Sequence, residues 1–271
     1  MSMDAIPIWF FFAATIIVVV ITIEAGHKLG HAVHRRSEEE KEPPVSAKIA
    51  AILGLVAFML VFTFGIVTNR YDDRKALVRD EANAIGTAYL RSDFMSEPDR
   101  GKTKGLFREY LDSRLAAAQS RDLDQMQKAL TESNRIQHQL WDMAVVNAFK
   151  DMNSDIAALY IDALNKVIDI HALRVAVGMQ ARIPAGIWLV LYVLVTLGMV
   201  GVGYQTAIAG SIKRSWATLI LAVSFSLVIA LIASLDRPQS GFITVSQQPL
   251  VDVRASMDAG VEARSGLGDK P

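Results

Sequence analysis

Cysteine is absent from the 271 residues, so disulfides, thiolate nucleophiles and thiolate metal sites are all excluded. Neither sign of charge prevails. Lys and Arg total 28 and Asp and Glu total 28, which removes the basic face that a nucleic-acid binder needs. The signature loops of hydrolysis and phosphoryl transfer are missing as well: there is no Gly-x-Ser-x-Gly, no Walker loop and no His-Glu-x-x-His. No enzyme and no cofactor is therefore expected. The most telling absence is local. Four stretches, from about Ile6 to Ile23, Ile49 to Thr68, Ile183 to Tyr204 and Trp216 to Leu235, contain no Asp, Glu, Lys or Arg. Without ionisable groups in them, a proton-coupled or charge-driven transporter has no support.

What those stretches do contain is apolar residues over the roughly 17–25 positions that an α-helix needs to cross a hydrocarbon layer about 30 Å thick. The spacing predicts an all-α membrane protein in four parts. Residues 1–68 form a first transmembrane pair and 69–182 an extramembrane helical domain. Residues 183–235 form a second pair, and 236–271 a polar tail that is partly disordered. The flank before the first stretch, Met1-Ser2-Met3-Asp4, has no positive charge and no small-residue cleavage site follows, so a retained span is expected and not a signal peptide. The connectors carry Lys28, Arg35, Arg36, Lys41 and Lys48, and then Lys213 and Arg214. Basic residues in short loops stay cytoplasmic, which puts the termini and the central domain on the periplasmic side of a bacterial inner membrane. Arg70, Arg74, Lys75 and Arg79 pull the other way.

The second span has no proline before Pro98, so it is expected to continue as a stalk, with Ala76, Leu77, Ala84, Ile85, Ala88 and Tyr89 at helical spacing. Ser96-Glu97-Pro98 ends it. Further helices are expected over Asp99 to Gln119, Leu123 to Phe149, and from the N-cap candidate Ser154 onward. Phe242-Ile243-Thr244-Val245 reads as a short strand. Acidic and basic residues of the central domain number 17 each, an ordinary solvated surface, and Asp80 and Glu81 beside Arg79 read as part of it.

Three constellations stand out in the first transmembrane pair. Glu24, His27, His31 and His34 share a helix face, where carboxylate and imidazole can hold a divalent metal; the blander reading is a polar face among lipid headgroups, and no metal site is expected. Gly26 and Gly30 form a Gly-x-x-x-Gly pair that permits close helix approach. Phe58, Phe62 and Ile66 recur every four residues on the second span, and repeated in several subunits they would line an apolar constriction. The alternative is that they face lipid or a neighbouring helix. Gly198, Gly201 and Gly203, with Ser224, Ser226 and Ser234, favour tight packing of the last two spans.

Several local runs, taken together, resemble one group of proteins. They are Glu24-Ala25-Gly26 with Gly30, Asn69 through Arg74, and Glu81-Ala82-Asn83-Ala84-Ile85-Gly86 continuing to Arg91. Arg182-Ile183-Pro184, Asp236-Arg237-Pro238 and Ser246-Gln247-Gln248-Pro249-Leu250 complete the set. On these the chain is similar to the bacterial membrane family called bestrophin-like, over nearly its whole length. The more distant likeness to bestrophins proper implies a homo-oligomeric, pentameric anion channel with bulky apolar residues of the second span, here Phe58, Phe62 and Ile66, at its narrowest point. It also implies a cytoplasmic helical domain, opposite to the loop-charge count. The acidic calcium clasp of the animal proteins has no counterpart, since Gln239-Ser240-Gly241 follow Pro238. The expected partners are lipid, further copies of the chain and a small anion. The rival reading is a membrane-anchored sensor or scaffold whose central bundle binds a ligand or partner protein.

Overall fold

The computed structural model describes residues 7–34, 42–120, 122–151, 154–179, 182–209, 216–237 and 241–268. Eight α-helices carry nearly all of them: α1 (Ile8–His34), α2 (Glu42–Arg91), α3 (Asp99–Gln119), α4 (Leu123–Ala148), α5 (Asp155–Met179), α6 (Ala185–Ile208), α7 (Trp216–Asp236) and α8 (Gln248–Gly268). Four are long and apolar enough to cross a membrane: Ile8–Val33 in α1, the apolar part of α2, α6, and Thr218–Asp236 in α7. At 50 residues α2 is about twice as long as the roughly 17–25 that a span needs. It stops in a single 3-10 turn, Ser92–Phe94, followed by extended Met95.

The chain divides into two compact units, Met1–Tyr71 with Arg182–Thr244, and Asp72–Ala181 with Val245–Pro271. In the first, a core of Val19, Val56, Val67, Leu191, Met199 and Ile232 is surrounded by exposed apolar side chains such as Trp9, Ile21, Leu189 and Ile220. This inside-and-outside apolar character belongs to a membrane-facing surface. Close approach holds the crossing of α1 with α6. A Cβ on Gly26 would run into the backbone carbonyl of Val200, one on Gly203 into the carbonyl of Ile23, and one on Gly30 would lie 2.7 Å from the Cβ of Ala207. Gly198 and Gly201 meet side chains of α2 instead, Leu53 Cδ2 at 3.2 Å and Ile49 Cγ1 at 3.0 Å.

The second unit is a bundle around Phe107, Tyr110, Leu111, Ile85, Ile136, Leu140, Leu164 and Leu250. Two of its helices, α4 and α5, begin at side-chain caps. The Asp122 carboxylate accepts from the Asp124 N–H at 3.1 Å, and Ser154 Oγ accepts from the Ala157 N–H at 3.3 Å.

One expectation changes, and the tail gains a helix. Phe242 to Val245 do not form a strand. Among the described residues there is no strand for them to pair with, and the Phe242 and Ile243 N–H groups donate to Ser234 Oγ at 2.7 and 3.3 Å. And the tail after Pro249 is helical in α8, anchored in the bundle core by Leu250 and Met257, seven residues and two turns apart.

Candidate functional site

The exposed stripe of α2 in the first unit runs Ala51, Leu55, Phe58, Phe62, Gly65 and Asn69, a 3- and 4-residue step that keeps all six on one side. Phe58 is 64% exposed and Phe62 54%, and their rings lie near-parallel with centroids 6.5 Å apart. Ile66 is half-buried at the edge of the stripe. Gly54 and Gly65 have nothing within 4 Å of an added Cβ, so the two rings stand proud of the helix surface around them. The opposite side of α2 is buried through Val56, Leu60 and Val67.

At the end of the same unit the residues Arg70, Arg182, Ile183, Asp236 and Arg237 come together. Asp236 Oδ1 accepts the Ile183 N–H at 3.0 Å and pairs with Arg70 at 3.5 Å, while the Asp236 carbonyl accepts from Arg182 at 2.7 Å. A carboxylate just before α6 satisfies a free donor there and favours the positive end of the helix dipole. The buried Arg237 guanidinium lies 4.9 Å from the centre of the Phe11 ring. Pro238 lies outside the described residues.

The bundle core contains the groups that sequence reasoning misplaced. Glu81 is not on the surface: it is fully buried and ion-paired with Arg114 at 2.7 Å and with Arg174. Its position could have been seen, because Arg74, Val78, Glu81, Ile85 and Ala88 follow one helical stripe and all are buried. Arg174 also donates to Gln247 Oε1 at 3.0 Å, which brings the motif residues Glu81 and Gln247 to one cluster. Nothing in the sequence singled out Arg114, Arg174, Gln137 or His171, because each is an ordinary residue in its own helix, whereas Tyr110 lies on the apolar stripe of α3.

Beside the ion cluster, Gln137 Nε2 donates to the Tyr110 hydroxyl at 3.1 Å, and Tyr110 lies 3.2 Å from His171 Nδ1. The phenol has one hydrogen, and with Gln137 donating to its oxygen that hydrogen goes to the imidazole. His171 is thereby an acceptor and neutral; burial, reinforced by the nearby Arg114 charge, pulls it down to about 4. Burial likewise raises Tyr110 to about 12, against the opposing pull of Arg114 and Gln137, and lowers Arg174 to about 10.

The remaining motif residues are dispersed. Asn83 is exposed. Gly86 sits 3.9 Å, through an added Cβ, from the methyls of Val253. Arg91 donates to the Leu159 carbonyl and pairs with Asp162 at 3.4 Å. Gln248 Nε2 donates to Asp252 at 2.8 Å, and Pro249 stands in the first turn of α8, where a missing N–H is harmless. Glu24 is half-buried on α1. Of the three histidines, His27 and His31 are together, Nε2 to Nε2 at 3.1 Å, while the His34 side chain lies outside the described residues.

No curated protein matches the chain. Solved structures do. Three structures of a bacterial Bestrophin homologue from Klebsiella pneumoniae superpose with TM-scores of 0.65, 0.64 and 0.60 at 13%, 14% and 15% identity. They cover 92%, 96% and 92% of this chain and 97%, 97% and 98% of the homologue. At such identity the likeness is one of fold. The family model of the Bestrophin-like domain matches residues 14–250, which takes in most of the first apolar span and all of the other three, and the chain belongs to the Bestrophin-like family.

Proposed function

We propose that this protein is a homo-oligomeric channel for small anions, with Phe58 and Phe62 at its apolar constriction and Ile66 beside them. The supporting observation is the α2 stripe, where two stacked phenylalanines protrude from a helix whose other side is buried and whose stripe has no charge from Ala51 to Asn69. A ring of such side chains around an axis narrows a pore without binding the ion and gates it by dewetting. Membership of the Bestrophin-like family supports the same reading, since bestrophins are anion channels. Gly26 and Gly30, which hold α1 against α6, would serve as the static frame around it. Purified protein in liposomes should pass chloride, and Phe58→Ala with Phe62→Ala should raise that flux several-fold. An oligomer that folds and passes no anion, or equal flux in both variants, rejects the reading.

The orientation that we adopt follows the Lys and Arg count of the short connectors, with the bundle on the periplasmic side. The cysteine-free chain makes this simple to test. A single Gln119→Cys at the exposed end of α3 should react with an impermeant maleimide in spheroplasts; reaction only after permeabilisation reverses the orientation.

A further inference from the structure

At the α1 end nearest the first connector, His27 and His31 stand one turn apart with their Nε2 atoms 3.1 Å from each other and their rings nearly perpendicular. The tautomer of His27 follows from its other nitrogen. Thr206 Oγ1 donates its only hydrogen to the Gly203 carbonyl at 2.7 Å, so the 3.3 Å contact between Thr206 Oγ1 and His27 Nδ1 must carry the imidazole hydrogen. Neutral His27 is thus protonated on Nδ1 and bare on Nε2, with the lone pair directed at His31. This is the arrangement of a metal-bound histidine, whose second nitrogen donates to a neighbouring oxygen that sets its tautomer. The position is also fixed at the backbone, because Gly203 lets α6 press against the Ile23 carbonyl and the His27 N–H.

We propose that His27 and His31 form a two-nitrogen site for a borderline divalent metal ion of the Zn2+ class. An ion about 2.05 Å from both nitrogens would see them at an angle of about 98°, between the octahedral and tetrahedral values. In its absence His31 donates its Nε2 hydrogen to His27; on binding, the ion takes the place of that hydrogen, and His31 holds its proton on Nδ1. Among the described residues no third His, Asp or Glu completes the group, so water fills the remaining positions. Imidazole nitrogens select Zn2+, Ni2+ or Cu2+ over Mg2+ and Ca2+, which require oxygen. The site is independent of conduction and stands or falls separately from it.

The test is zinc titration of the full chain in detergent, purified with a tag that contains no histidine and stripped with EDTA. One Zn2+ should bind per chain, with Mg2+ unable to compete at a thousandfold excess. His27→Gln and His31→Gln should each weaken binding at least tenfold. Thr206→Val should weaken it by roughly 10–100-fold through loss of the tautomer-setting oxygen. His138→Gln, exposed on α4, should leave it unchanged. Because His31 is exposed, its variant is expected to fold even where His27→Gln does not. No zinc uptake by the folded protein overturns the proposal, as does uptake that is the same in His31→Gln.

Discussion

The two units bring helices together by different means. In the membrane unit the hydroxyls turn inward on their own helices: Thr15 donates to the Phe11 carbonyl, Thr63 to Met59, and Ser226 to Ala222. α1 meets α6 backbone to backbone where side chain is missing, at Gly26, Gly30 and Gly203, with the Thr15–Tyr192 and His27–Thr206 contacts as hydroxyl bonds across the same helix pair. In the bundle the centre holds Glu81, Arg114, Arg174, Tyr110 and His171 among large apolar residues. The contrast follows from what each kind of contact gains. Against lipid, one more methyl gains nothing when it moves between helices, so backbone proximity decides. Where apolar burial itself supplies cohesion, polar groups add a directional demand, since only one rotation of α2 brings Glu81 to both arginines.

The comparison can be broken first at the glycines. Gly203→Leu or Gly26→Leu places a side chain inside a backbone of the facing helix, which rotamer change cannot relieve. The expected outcome is loss of detergent-stable folded protein, read by gel filtration; a normal elution profile would mean that the crossing is looser than described. Next comes the ion cluster. Glu81→Ala leaves two buried guanidinium groups without their carboxylate, and should cost about 3–5 kcal/mol in urea unfolding followed by helicity. Replacement of Glu81, Arg114 and Arg174 together by Met or Leu should recover most of that loss, and failure to do so would show a role beyond pairing.

The smallest effect concerns acid. His171 is held at about 4 in the folded bundle, below its ordinary 6.5. The unfolded chain therefore takes up the proton first as pH falls. The stabilisation is complete above pH 6.5 and disappears progressively down to about pH 4, on the order of 3 kcal/mol in all. His171→Gln should flatten that part of the unfolding profile; an unchanged slope would place the acid sensitivity elsewhere.

Local signals made α3 and α4 readable, since Pro98 sets the start of one and Asp122 caps the other. The length of α2 was legible for a similar reason, an uninterrupted run without proline from Val45 to Pro98. The apolar spans themselves are a solvent signal and need no partner to be recognised. α8 was harder. Its surface is polar, and its attachment depends on Tyr89 and Arg108 donating to the Met257 carbonyl, both about 150 residues or more away in the chain. The stretch before it has β-forming residues but no strand to join among the described residues, and Ser234 takes the Phe242 and Ile243 N–H groups instead. For the sites, Gly26, Gly30 and the phenylalanine step were visible as periodicity. The imidazole tautomer of His27 was not, because it is set by Thr206, 179 residues away.

Where Gly203 presses on the Ile23 carbonyl there is room for neither an acyl chain nor water, and any sliding there would drive main chain into main chain. Between α6 and α2, by contrast, Gly198 and Gly201 meet side chains and no backbone: Leu53, Val56 and Ile52 at the first, Ile49 at the second. A shift of α1 along α6 therefore meets main chain first, whereas a shift along α2 meets side chains first.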